Sequence, residues 1–385
     1  MDFIYIPMII IAGLMYISRF TASMAKGHSA VLRKLFFFHL LIGVYYAFFL
    51  YGDANRYYNV SKVMTYDIFI ASMQTGEGTK FMEALNFPFS KILGMPYLSN
   101  TLFFSLVGFI GITLFYKIAL ELVPYNVLLF GITFFPTVFF LPNLHVWSVS
   151  IGKDTILFLC IAMFSYGLLA PSKRIWMIVF AILLGIAIRP HIVLFLFVGF
   201  GLAYVFGGKI PIWQRVVFSA VMLGAGLAIL PSVLEFANIE AADTASFEEF
   251  AASKSSALGR GNVGSAIDVS SLPVPLQWLT FWFRPSFFDG TSVASLLTSV
   301  ENLILLCLFV MILMKKPYKA FKAAPFVIKG LVLFAILGTL AFAPTLGNLG
   351  IMIRMRNMFL PGMLIFLLWV FSYHYQTRIL KKKKK

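Results

Sequence analysis

Five short polar segments interrupt an otherwise apolar sequence, and each carries residues able to move a proton or hold an anion: YGDANRYY (51–58), NLHVWSVSIGKD (143–154), Arg189-Pro190-His191, WFRP (282–285) and IRMRN (353–357). Asp53 closes an apolar run, where a carboxylate can take a proton from a hydroxyl or hold a cation. Arg56 lies three residues on, within reach to orient it, and Tyr57 follows. The plainer reading is a helix end meeting water, with Asp53 as cap and the tyrosines in an interfacial belt. In the second segment Ser148, Ser150, Gly152 and Lys153 run into a helix start near Asp154, with His145 upstream. Free backbone amides at a helix start, together with Lys153, favour an anion. A cap at Asp154 and a solvated Lys153 would account for the same residues. A nucleotide P-loop is excluded, because the first glycine is missing and Asp154 replaces the Ser or Thr.

Arg189 is harder to explain by solvation. Pro190 favours a tight turn there, and the flanking apolar runs are short, so Arg189 falls near or below the membrane surface. A lipid-facing Arg at mid-bilayer costs about 2.5–3.5 kcal/mol on insertion scales. Arg189 should therefore face a cavity or an anionic partner. His191 suits a proton carrier or a hydrogen-bonded structural residue equally. Arg284, Arg354 and Arg356 offer the planar fork that binds phosphate in a bidentate manner, or else snorkel to headgroups. Glu301 lies inside an apolar run as a carboxylate that one of these arginines can pair.

The elements that must position these residues follow from composition. Of 385 residues, 60% are apolar and 12% charged, with mean hydropathy +0.90. Soluble domains are about 45–50% apolar and about 25% charged, so a water-soluble globule is excluded. Unbroken apolar runs, with 43 Phe, exclude an outer-membrane barrel of alternating strands. The sequence predicts an all-α polytopic membrane protein with about eleven transmembrane helices. Their approximate limits are 3–18, 35–51, 101–118, 125–142, 154–170, 175–189, 191–207, 215–234, 292–314, 326–345 and 357–375. The N-terminal run has Asp2 and no basic residue before it, which reads as a retained span and not a cleaved signal. Cys160 and Cys307 sit in apolar runs without metal-ligand spacing.

The formal charge of +16 sorts with this alternation. Arg19, Lys26, Arg33 and Lys34; Lys173 and Arg174; Lys209 and Arg215; Lys315, Lys316, Lys319 and Lys322; and the tail 376–385 all fall on one side. That side should be cytoplasmic, which puts the N-terminus outside and the C-terminus inside. Residues 1–385 then form a single integral membrane domain, with long outer loops at about 52–100 and 235–291. Within them, 80–94 and 274–288 suggest amphipathic or re-entrant helices on the outer face, and 235–273 is acidic. All five polar segments fall on that outer face. The basic charge carries no implication of nucleic acid.

A carboxylate with several cations outside the membrane describes a site for a phosphorylated lipid. Sugar transfer there needs a base, Asp53 by preference, and cations to stabilise the leaving phosphate. Tyr57, Tyr58, Trp147, Trp278 and Trp282 can stack on sugar rings, although anchoring at the membrane interface is their default role. With many spans, an Asp at the outer end of an early one and a long first outer loop, the chain resembles the GT-C class of polyprenyl-phosphate-sugar-dependent glycosyltransferases. The opening, through Gly52-Asp53-Ala54-Asn55-Arg56-Tyr57, is most similar to bacterial exopolysaccharide and O-antigen polymerases. The resemblance implies Asp53 as catalytic carboxylate and the outer Arg and His residues as ligands of donor pyrophosphate. It implies glycosyl transfer at the extracytoplasmic face of a bacterial plasma membrane, for cell-envelope or exopolysaccharide synthesis. The partners are a polyprenyl-linked sugar donor, a glycan or lipid acceptor and membrane lipids. No cofactor is expected, a divalent metal being left open, as is the oligomeric state. One additional N-terminal span relative to the commonest GT-C layout leaves transferase against polymerase open. The alternatives are a transporter or flippase for lipid-linked oligosaccharides and a non-catalytic envelope assembly protein.

Overall fold

A computed structural model describes residues 1–205 except 51 and 77, scattered positions between 207 and 256, 265–290 except 270, and 292–382. The expected span 215–234 and most of the acidic stretch 235–273 lie outside the described residues. The chain is mostly helical and divides into two compact units, Met1–Ile118 with Phe135–Arg189 and Ala119–Phe134 with Pro190–Lys385.

The first unit is built on α1 (Asp2–Phe20), α2 (His28–Phe49), three short helices, α3 (Asp53–Val63), α4 (Tyr66–Thr75) and α5 (Thr79–Phe87), and α6 (Tyr97–Leu122). Side-chain hydrogen bonds fix the register of the long helices. Asp2 Oδ1 accepts from the Ser99 amide at 3.2 Å, and the Tyr16 and Thr113 hydroxyls meet at 2.6 Å, so α1 and α6 run parallel. His28 meets the Tyr116 hydroxyl at 2.7 Å and His39 the Ser105 carbonyl at 2.9 Å, so α2 runs antiparallel between them. α1, α2 and α6 match the first three expected spans. Helices α3 to α5 therefore leave and return at the end of the bundle that carries Asp2, Phe49 and Tyr97. The expected helix over 80–94 is present as α5 and a π-turn at Pro88–Ile92.

The expected span 125–142 is not one helix. After α6 comes a hairpin of β1 (Leu128–Leu129) and β2 (Ile132–Thr133), then α7 (Phe134–Thr137), a 3-10 turn at Val138–Phe140 and α8 (Pro142–Val146). Pro124, Pro136 and Pro142 each remove a backbone donor and break the helical ladder. Phe130 and Gly131 turn the hairpin at φ 51° and 80°. This segment climbs only halfway along α6. A Cβ at Gly108 would overlap the Ser148 carbonyl, and Gly111 lies against the Phe158 ring. Ser148 thus sits beside the middle of α6, and α9 (Lys153–Gly167) packs along it. Gly167 packs on Ile178 of α10 (Pro171–Ile188), which opens on Pro171, a residue whose fixed φ suits a first helical turn. α10 stops at Arg189 because Pro190 holds its predecessor extended, here at φ −152° and ψ 89°.

The second unit contains α11 (Pro190–Val205), α12 (Val274–Phe283), α13 (Val293–Leu313), α14 (Pro317–Ala323), α15 (Phe326–Phe342), α16 (Leu349–Arg356) and α17 (Leu360–Lys382). α11 and α15 pack closely, because Gly199 admits the Phe334 backbone and Gly330 the Phe200 ring. α16 and α17 are bent by 61° across Asn357–Phe359. Among the described residues five helices are long and apolar enough to cross a membrane, and six if this bent pair is one span.

Candidate functional site

The charged residues of the first unit gather where α9 begins and α10 ends. Arg189 Nη1 stands 3.1 Å from Asp154 Oδ1, with side chains only 11% and 7% exposed. Their neighbour Lys153 donates from Nζ to the Thr79 hydroxyl of α5 at 2.9 Å. Gly78 donates its amide to the Ala187 carbonyl at 3.0 Å. It adopts φ +54°, a backbone region that side chains disfavour, and the place where a Cβ would sit is 3.6 Å from both Lys153 Nζ and the Ile188 carbonyl. The start of α5 is thereby fastened to α9 and α10 together.

α9 starts where it does for local reasons. Gly152 is extended, Asp154 sits in the first turn where a negative charge suits the helix dipole, and Thr155 donates to the Ser150 carbonyl at 2.6 Å. Tyr57 of α3 is buried, with its ring near Gly152. The positions flanking the first turn of α9 are therefore Lys153, Asp154, Arg189, Thr79 and Tyr57, contributed by three helices and the residue that closes α10.

Beside this cluster α3, α4 and α5 enclose a groove of about 500 Å³. Its lining mixes apolar Val60, Val63 and Ile68 with polar Ser72, Thr75, Lys80 and Glu83. Glu83 is nearly buried and pairs with the largely exposed Arg56 at 3.4 Å. A carboxylate, one cation and two hydroxyls suit a hydroxyl-rich or phosphorylated ligand, and the apolar residues suit its apolar part. Sequence reasoning missed Glu83. Its signal was an acid inside KFMEALNF, but its partner Arg56 lies in another helix at no recognisable spacing.

The other expected residues are placed as follows. Asp53 is the first residue of α3, exposed, one helical turn before Tyr57 on the same face. His145, expected in the outer loop, is instead buried against α2, with Nδ1 2.8 Å from His39 Nδ1. The broken climb of residues 134–148 carries it to the level of Ser105.

In the second unit the arginines are engaged by the protein's own groups. Arg284 donates from Nε to Asp289 at 3.0 Å and also from Nη2 to the other carboxylate oxygen. This pairing, helped by donors from Ser286 and opposed by partial burial, holds the Asp289 carboxyl down at about 2 and raises Arg284. Arg356, only 1% exposed, donates to the Trp282 carbonyl and at 2.7 Å to Asn302 Oδ1. Neighbouring Glu301 is buried, and its charge acts on that guanidinium. Arg356 therefore ties α12, α13 and α16 together and is no outward phosphate ligand. Arg354 is half-buried, and the His191 ring meets Phe195 and Phe342 edge-on. Trp282, expected to stack on sugars, donates to the Thr339 hydroxyl at 2.9 Å. It helps line an apolar cavity of about 500 Å³ with Trp278, Phe309, Ile336 and Met363. Among the described residues no group of three or more His, Cys, Asp and Glu is placed to hold a metal ion.

The long apolar helices define an all-α, membrane-embedded protein. No protein-family model, curated protein or solved structure matches the chain.

Proposed function

We propose that this protein transfers a glycosyl group at the extracytoplasmic face of a bacterial plasma membrane, from a polyprenyl-(pyro)phosphate-linked donor, in cell-envelope or exopolysaccharide synthesis. The observation that carries this reading is the seating of Lys153, Asp154 and Arg189 at the first turn of α9, with a groove between α3, α4 and α5 lined by both apolar and polar residues. An orientation with the N-terminus outside puts this site on the side without nucleotides, so the activated group comes from a lipid phosphate.

In the reaction, a carboxylate takes the proton of the acceptor hydroxyl as its oxygen attacks the anomeric carbon. The bond to the phosphate oxygen breaks, and its electron pair stays on the leaving phosphate. Lys153, Arg189 and the amides of α9 stabilise that charge. Asp53 is the preferred base, with Glu83 as the second carboxylate within the same unit.

The test is sugar transfer from polyprenyl-linked donors by the full-length protein in reconstituted vesicles. Asp53→Asn should reduce transfer at least a hundredfold, in line with the usual contribution of a general base, and Lys153→Ala should weaken donor binding. Undiminished transfer by Asp53→Asn together with Glu83→Gln removes the carboxylate mechanism. The alternative, a flippase for lipid-linked oligosaccharides, draws on one observation: Asp154 and Arg189 are charged and nearly buried among apolar helices, as charges along a transport path are. Transbilayer movement of a labelled lipid-linked sugar in the same vesicles, without sugar transfer, selects that alternative.

A further inference from the structure

Glu83, in the middle of α5, is only 7% exposed. Burial takes away the water that an ionised carboxylate needs unless other donors replace it. Arg56 of α3 answers the charge at 3.4 Å, yet no hydrogen bond reaches Glu83 Oε1 among the described residues. Glu83 lines the groove between α3, α4 and α5, so a molecule held there can supply the donors. Lys80 lines the same groove one turn earlier on the same face of α5. It is exposed, and among the described residues no acid pairs with it. Arg56, Lys80 and Glu83 together carry one cation in excess, while the carboxylate is short of donors.

These two needs select the ligand. An ammonium group would bring Glu83 a donor but meet Arg56 and Lys80 as like charges. A hydroxyl brings a donor without charge. An acidic group gives Lys80 a partner. A lipid phosphate without hydroxyls would leave Glu83 short of donors and set a second anion near it. We propose that the groove binds a sugar unit carrying an acidic group, with Glu83 accepting from its hydroxyls and Lys80 pairing its carboxylate or phosphate.

The two side chains leave α5 with about 5–6 Å between their Cβ atoms, which keeps the ligand's acid at Lys80 and off the Glu83 carboxylate. Val60, Val63 and Ile68 offer the apolar face of a sugar ring a surface to pack on. The proposal rests on the transfer reaction above and names its acceptor as an acidic glycan, the donor phosphate being left to Lys153 and Arg189. Thr79, whose hydroxyl accepts from Lys153, directly precedes Lys80, so the first turn of α5 borders both sites.

The test is binding of trisaccharides of glucose and of galactose to the full-length protein in micelles, followed by saturation-transfer NMR. Each is offered in neutral form, as the hexuronate and as the 6-phosphate. The parent should bind at least one acidic form about tenfold more tightly than the neutral one, as one charge-assisted hydrogen bond contributes, and the preferred form identifies the acid. Lys80→Met should bring acidic and neutral forms to equal affinity. Glu83→Gln should weaken both alike and keep the preference. Lys80→Met, at an exposed position, decides alone if Glu83→Gln fails to fold. No binding of the acidic sugars, equal affinities in the parent, or a preference that survives Lys80→Met overturns the proposal. Sugar transfer in vesicles without preference for an acidic acceptor overturns it while the transfer reading stands. An acid preference in binding without transfer overturns that reading alone.

Discussion

Arg189 and Asp154 are paired at 3.1 Å where the residue that closes α10 meets the first turn of the preceding helix, α9. Their partnership ties a hairpin together at the same place where the start of α5 is fastened by Gly78 and Thr79. A buried pair of this kind is costly to break from one side, because the remaining charge keeps its desolvation and loses its partner. Asp154→Asn or Arg189→Met alone should lower stability by about 3–5 kcal/mol. The double change Asp154→Leu with Arg189→Met should cost less than either single change. Urea unfolding in micelles across the four proteins measures the difference, and additive losses would show that the two side chains do not act as a pair.

Gly78 holds φ +54° with ψ −99°, a combination that glycine reaches freely and other residues do not. Gly78→Ala should destabilise by about 1–3 kcal/mol. The 3.6 Å approaches to Lys153 Nζ and the Ile188 carbonyl are ordinary contacts, so the loss comes from the backbone and not from crowding. Gly52→Ala is the control. That residue is extended at φ 170° with nothing near its Cβ position, and the change should stay within about 0.5 kcal/mol. Equal losses at the two positions would remove the conformational explanation.

Much of this fold was legible in the sequence, and the gaps have physical causes. Apolar runs long enough to span gave α1, α2, α6, α10 and α13, because burial in lipid is read from composition alone. The run 125–142 has the composition of a span, but Pro124, Pro136 and Pro142 decide its backbone, and hydropathy averages over them. The same error carried His145 to the wrong depth and hid His39, which looks like one polar residue in an apolar helix. Lys153, Asp154 and Arg189 stood out because charge is rare in such segments. Their pairing could not be read, since 35 residues and a helical hairpin separate Asp154 from Arg189, as α4 separates Arg56 from Glu83.

The Arg284–Asp289 pair makes a distinct prediction about acid. Asp289 accepts from the Arg284 guanidinium, from the Ser286 amide at 2.6 Å and from its hydroxyl at 2.8 Å, and its carboxyl is held at about 2 against an ordinary 3.8. A depressed folded value means the native state binds the proton more weakly than the unfolded one. The stability contributed by this turn is therefore complete above pH 3.8 and is lost as pH falls from 3.8 through about 2. Unfolding midpoints of the parent should fall over that window relative to Asp289→Asn, which lacks the titration. Parallel profiles would mean that Asp289 is not held by Arg284 in solution.

Arg356 separates a structural cation from a ligand-binding one. It donates to the Trp282 carbonyl and to Asn302 Oδ1, while Asn302 Nδ2 donates at 2.9 Å to the Pro285 carbonyl, so one guanidinium supports both the end of α12 and the turn behind it. Lysine at this position keeps the charge but not the planar fork that reaches two acceptors at once. Arg356→Lys should lower stability by about 1–3 kcal/mol, the cost of leaving a buried acceptor unpaired. Arg356→Ala should cost about 3–5 kcal/mol, since Glu301 is then buried without that cation. In vesicles that hold folded protein, Arg356→Lys should leave the apparent affinity for a polyprenyl-phosphate donor unchanged, whereas Lys153→Ala should weaken it. A selective loss of donor affinity in Arg356→Lys at unchanged stability would return Arg356 to the ligand-binding residues.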